Sequence, residues 1–172
     1  MLEKLGLEKG WIYEVIMETR SKDGAPNIAP MGVWTVDSKF LLADIYEENR
    51  TYKNLMAKNE GSVYFVRDPK YFVDGKIERI PWDAKLEFRV ARVECKNPCR
   101  FYLEITGREV RGKPEPINRA RGLFIEFLID YSRKGKDEAA RARLDYYKKA
   151  VSKVAPGSDY ERITGGLYED KG

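Results

Sequence analysis

The chain has no histidine and no glutamine among its 172 residues. Without histidine there is no Ser-His-Asp or Cys-His triad and no imidazole ligand for a metal. The side chain that titrates nearest neutrality is missing too, so chemistry falls to a carboxylate, a Lys, a Tyr, a Cys or a bound cofactor. Cysteine is scarce: Cys95 and Cys99 are the only two. Two thiols alone do not close a structural zinc site, and C-x-x-x-C is not the C-x-x-C spacing of a redox pair. Ordinary reduced thiols are expected, with a strand-crossing disulfide as the alternative, and no metal site is expected. No apolar run approaches the roughly 18 residues of a membrane span. Met1-Leu2-Glu3-Lys4 mixes both signs of charge and leads into no apolar signal core, so a cytoplasmic protein is expected.

Other nucleotide signatures fail as well. No G-x-G-x-x-G is present, which leaves a Rossmann site without support. Gly107-Arg108-Glu109-Val110-Arg111-Gly112-Lys113 matches the first seven positions of a P-loop, but Pro114 follows. Proline brings neither a hydroxyl for magnesium nor an N–H for a phosphate, so the spacing is a coincidence.

What is present is charge and hydrophobicity in globular proportion. Hydrophobic residues make up 42% and charged residues 35%. The length suits one domain with a small extension. Abundant Lys and Glu with few amides is the compositional drift of thermophile proteins. The net charge of +4 is uneven. Residues 110–172 hold 14 Lys/Arg against 10 Asp/Glu, so the first 109 residues balance to zero.

Strand patterning fills the first two thirds. Trp11–Glu18 reads as a strand and Lys22-Asp23-Gly24 as a turn. Further strands are expected at about Asn27–Val36, Lys39–Ile45, Ser62–Val66, Lys85–Val93 and Arg100–Thr106. Between the third and fourth, Tyr52, Leu55 and Met56 fall at i, i+3, i+4, which predicts a short helix with Asn49 as N-cap and Gly61 as its end. Six short strands and one helix predict a small barrel.

Gly112-Lys113-Pro114-Glu115-Pro116 reads as a stiff linker, dividing a barrel domain, 1–111, from a helical extension, 112–172. One helix carries Ala120, Leu123, Phe124, Phe127, Leu128 and Tyr131 and stops at Gly135. A second carries Ala140, Leu144, Tyr147, Val151 and Val154 and ends at Pro156-Gly157. Together they predict a helical hairpin.

Two segments carry candidate chemistry. Asn49-Arg50-Thr51-Tyr52-Lys53-Asn54 opens a helix directly after a strand. A helix start offers free N–H groups and a positive dipole end, which hold a phosphate. Arg50 adds a fixed charge and Thr51 a hydroxyl, and Asn54 at i+3 points the same way; a capped surface helix is the plain alternative. In Asp23–Gly32, Pro26, Pro30 and Gly32 argue against a regular central strand. They suit either a flat ring stacked along a strand edge or a bulged edge strand.

Taken in order, Asn27-Ile28-Ala29-Pro30, Arg50-Thr51-x-x-Asn54-Leu55 and the strand Ser62–Val66 resemble the flavoredoxin and flavin reductase-like branch of FMN-binding split barrels. The whole chain is similar to an archaeal domain-of-unknown-function family of that superfamily. That resemblance includes Asp23-Gly24, Pro30-Met31-Gly32, Thr51-Tyr52-x-Asn54, and a helical tail with Glu126 and Ser132-Arg133. It implies a split β-barrel with a C-terminal helical hairpin, forming a homodimer with FMN near the subunit interface. Arg50, Thr51 and Asn54 would hold the phosphate, and Asn27, Ala29, Pro30, Met31 and Gly32 would lie along the ring. Gly32 stands where flavoredoxin-like chains carry a serine.

A flavin accounts for a redox protein without histidine, since the ring system carries the hydride and electron chemistry. The leading expectation is an FMN-dependent oxidoreductase with a small-molecule electron donor or acceptor and no nameable acid or base. A flavin-storing protein without turnover, or one using a deazaflavin, is the alternative. A nucleic-acid-binding barrel is a third, resting on residues 119–153 with 10 Lys/Arg against 5 Asp/Glu.

Overall fold

The computed structural model describes residues 2–73, 76–133 and 138–169. Met1 and the helix stop expected at Gly135 lie outside them. Among the described residues the strand patterning becomes β1 (Tyr13–Arg20), β2 (Pro26–Val33), β3 (Phe40–Ile45), β4 (Glu60–Phe65), β5 (Ala84–Cys95) and β6 (Cys99–Val110). They form one antiparallel sheet in the order β2-β1-β4-β5-β6-β3. Trp34 and Leu42 exchange both backbone hydrogen bonds, at 3.0 and 2.7 Å, and tie the end of β2 to β3 at the opposite edge. The sheet thus curls into a barrel, as closure of paired edges requires.

The period-2 alternation sorts side chains to two faces. Val15, Met17, Val63, Phe65, Leu86, Phe88, Phe101 and Leu103 fill the interior. Ile16, Tyr64 and Val66 face the other way and are covered by Ile80 with Tyr71, Phe72 and Trp82 of the β4–β5 connection. Each fully buried aromatic contributes about 1.5–3 kcal/mol.

One local expectation changes and one alternative falls away. The helix α1 (Arg50–Lys58) ends at Asn59, whose left-handed backbone (φ 56°) and N–H to Leu55 carbonyl bond stop it; Gly61 is not the stop. Gly61 lies inside β4, where a Cβ would stand 2.7 Å from both the Glu18 carbonyl and the Phe88 ring, so close packing requires glycine there. β2 is an edge strand, which tolerates its prolines, but it carries no bulge: it pairs residue for residue from Tyr13↔Val33 to Arg20↔Pro26. The register shifts fall between β5 and β6. The P-loop-like run is mostly strand, since β6 continues to Val110.

The chain packs as two units, residues 1–9 with 13–117 and residues 10–12 with 118–172. The second holds α2 (Ala120–Arg133), α3 (Glu138–Val154) and α4 (Asp159–Glu169). Its expected hairpin therefore gains a third helix. Trp11 and Ile12, expected in the first strand, belong to this unit: the Trp11 indole donates to the Pro156 carbonyl at 3.2 Å and the Ile12 N–H to the Val154 carbonyl at 2.9 Å. Of the expected α2 stripe, Ala120 and Phe127 are buried, whereas Leu128 is exposed. None of the described helices is long and apolar enough to cross a membrane.

Candidate functional site

α1 begins five residues after β3. Asn49 sits at its N-cap with extended backbone (φ −68°, ψ 141°), yet its side chain makes no capping hydrogen bond, and the first turn holds no acidic residue. The start of α1 thus keeps backbone N–H donors and a positive dipole end with no carboxylate in that turn. Arg50, the first helical residue, is exposed. Among the described residues it forms no ion pair.

Thr51 and Asn54 turn the other way. Both are buried, as is Thr19 of β1. Asn54 Nδ2 donates to Thr19 Oγ1 at 3.1 Å. Asn27 Nδ2 donates to Thr51 Oγ1 at 3.2 Å and lies 3.5 Å from Thr19 Oγ1. Strand register explains the meeting, because Asn27 of β2 lies directly opposite Thr19. An amide–hydroxyl lattice therefore fastens the start of α1 to the first two strands, and no buried side-chain polar atom among the described residues lacks a partner.

Of the residues singled out in the sequence, the structure joins Asn27, Thr51 and Asn54 and sets Arg50 beside them. Alternation divides the rest. Asn27, Ala29 and Met31 lie opposite Thr19, Met17 and Val15 on the interior face, and Met31 packs against the core. Pro30 and Gly32 lie opposite Ile16 and Glu14 on the other face. A flat group could touch all five only along the strand edge, through backbone atoms.

Thr19 is the residue that sequence reasoning missed. Its signal lies in the alternation itself: Val15 and Met17 are interior and apolar, and the next interior position carries a hydroxyl. Its neighbour Glu18 faces outward and accepts a hydrogen bond from the Tyr64 hydroxyl at 2.8 Å. Burial and that carboxylate push the Tyr64 phenol well above its ordinary range, so it is a hydrogen-bond donor at any physiological pH.

A cleft of about 330 Å³ is lined by Thr19 itself with Glu18, Arg20, Glu60, Lys85 and Glu87 among others. Its cations are already paired, Arg20 with Glu18 at 2.8 Å and Lys85 with Glu87 at 2.7 Å. Three carboxylates against two neutralised cations do not attract a phosphate.

An uncharacterized protein of Methanocaldococcus jannaschii is 28% identical over 144 residues, covering 71% of this chain and 74% of that protein. The crystal structure of an FMN-bound protein of Methanosarcina mazei superposes with a TM-score of 0.55 at 18% identity, over 99% of both chains. Flavoredoxin of Methanosarcina acetivorans gives 0.50 at 17% identity, over 60% of this chain and 74% of its own. These likenesses show the split β-barrel fold. Residues 13–111, β1 to the end of β6, match the family described as "Protein of unknown function (DUF447) N-terminal domain", and the chain belongs to that family.

Proposed function

We propose that this chain binds FMN, with the phosphate at the start of α1 and the ring along β2, and acts as an FMN-dependent oxidoreductase. The observation that carries the proposal is the hydrogen bond from Asn27 to Thr51, which joins the two segments that would hold the two ends of the cofactor. The donor set fits a phosphate monoester: an exposed guanidinium without a described ion pair, uncapped helical N–H groups and no acid in the first turn. Arg50 and the N–H groups would contact the phosphate. The buried pair Asn54, which donates to Thr19, and Thr51, which accepts from Asn27, hold that helix turn in place. The backbone of Asn27–Gly32 at the sheet edge would border the ring. Membership of the family and the FMN-bound Methanosarcina mazei neighbour support the same cofactor.

Bound flavin supplies hydride and single-electron chemistry, leaving the protein to hold and orient the ring. The chain contributes no histidine to that chemistry. The resemblance adds a homodimer with flavin near the interface; a small-molecule electron donor or acceptor and a cytoplasmic setting complete the proposal. The test is a visible spectrum of the purified protein after FMN is added and the excess removed. A retained flavin spectrum that NADH or NADPH then bleaches supports both parts. A retained but unbleached spectrum with every donor tried leaves a flavin-storing protein, and a colourless protein refutes the proposal.

A further inference from the structure

We propose that Glu47, Cys95 and Cys99 form a binding site for a thiophilic divalent cation, zinc(II) in the first place. The inference is independent of flavin binding. Cys95 ends β5 and Cys99 begins β6, so the Lys96-Asn97-Pro98 turn sets the two cysteines directly opposite each other. On its other side β6 pairs with β3, with Ile45 opposite Cys99. The chain leaving β3 therefore passes over the hairpin and delivers Glu47 to it. Cys99 Sγ lies 3.5 Å from Glu47 Oε1, and one ligand atom from each of the three residues lies within 4.8 Å of the others.

The Cys99–Glu47 spacing is that of two ligands around one ion. Zinc–sulfur and zinc–oxygen bonds of about 2.3 and 2.1 Å at a tetrahedral angle place S and O about 3.6 Å apart. Cys99 is buried while Cys95 and Glu47 are exposed, so the site has an anchored inner ligand and an open side where water completes the tetrahedron. Two thiolates and a carboxylate select zinc(II) over the oxygen-seeking magnesium and calcium.

Among the described residues Glu47 pairs with no lysine or arginine, so no cation of the chain already holds its carboxylate. A divalent ion would displace both thiol protons to solvent as its bonds to sulfur form. A disulfide would account for the two sulfurs but gives no reason for the carboxylate. Bound metal would clamp the β3–α1 connection to the β5–β6 hairpin three residues before Arg50.

The experiment uses the full chain, reduced and stripped of metal by a chelator. Zinc is titrated against a chromophoric chelator, and cobalt(II) is added to a parallel sample. The expected result is one equivalent of zinc, a raised melting temperature, and cobalt spectra with thiolate charge-transfer and tetrahedral bands. Because Cys95 and Glu47 are exposed, Cys95→Ser and Glu47→Gln should fold. Cys95→Ser should lose the charge-transfer intensity in large part, and Glu47→Gln should weaken zinc binding by about 10-fold or more, since even outer partners cost 10–100-fold. Absence of cobalt charge transfer, or zinc binding unchanged in both variants, overturns the proposal. So does a Cys95–Cys99 disulfide that re-forms in air with zinc present.

Discussion

The helices α1 and α4 begin in opposite ways. Before α4 stands Ser158, whose Oγ accepts the Glu161 N–H at 3.2 Å, while Glu161 Oε2 accepts the Gly157 N–H at 2.5 Å. Asp159 adds a second carboxylate to that first turn. This is a capping box, with its return bond made one residue early. α1 has an asparagine at the same position, no side-chain cap and no acid in its first turn. One helix start is neutralised by the chain itself. The other is left with its donors and its dipole, and is held from beneath by Thr19 and Asn54. On the proposed reading, α4 closes its own end because it needs only to fold, and α1 leaves its end open to receive an anion.

The largest effect that tests this contrast lies beneath α1. Thr19→Val keeps the side-chain shape but removes the oxygen to which Asn54, and at longer range Asn27, donates. An unmet buried amide costs about 1–3 kcal/mol, so chemical denaturation should show a loss of about 2 kcal/mol, and FMN affinity should fall with it. Arg50→Ala should separate those two quantities. Arg50 is exposed, so stability should move by less than about 0.5 kcal/mol, while losing a charge-assisted phosphate contact should weaken FMN binding about 10- to 100-fold by fluorescence titration. If stability and affinity fall together, the open end of α1 is structural and the comparison fails.

At α4 the outcome should be reversed. Ser158→Ala should cost about 1 kcal/mol of stability and leave FMN affinity unchanged. The Ser152 hydroxyl and then the Gly157 N–H hold the Glu161 carboxyl below its ordinary value. A depressed folded pKa means that the stabilisation is complete above the unfolded pKa of about 4.5 and fades as pH falls through the folded value. Glu161→Gln should therefore flatten that acid limb in a pH series of melting temperatures, without touching the flavin spectrum.

How much of this was legible differs between the two starts. The six strands and α1 follow from period-2 and 3.6-residue patterns, and their ends shift by only a few residues. The approach of Asn27 to Thr51 is set by strand pairing across 24 positions, and alternation alone does not give it. Glu47 meets Cys99 across 52 positions for the same reason. α4 is a different case, because Ser158-x-x-Glu161 is a written helix start. Pro156-Gly157 before it and Gly165-Gly166 within it mask the signal, since glycine inside a helix costs about 1 kcal/mol. Leu128 shows the reverse error: a 3.6-residue stripe placed it in the core, but the buried part of α2 is narrower than its apolar stripe.

The smallest expected effect is the sharpest, because its two parts have opposite sign. Asn49→Asp would place a carboxylate at the N-cap of α1, where the asparagine side chain makes no bond. Aspartate there accepts helical N–H groups and complements the dipole, which should stabilise the fold by about 0.5 kcal/mol. The same carboxylate competes for the donors a phosphate would use and repels its charge, so FMN should bind more weakly while the protein melts higher. If α1 were merely an ill-capped surface helix, the substitution would raise stability and leave flavin binding as it was. A gain in both would move the phosphate away from α1 altogether. Lower affinity at higher stability is the outcome only an anion site predicts, because the donors that the fold leaves unused are then the donors that the ligand requires.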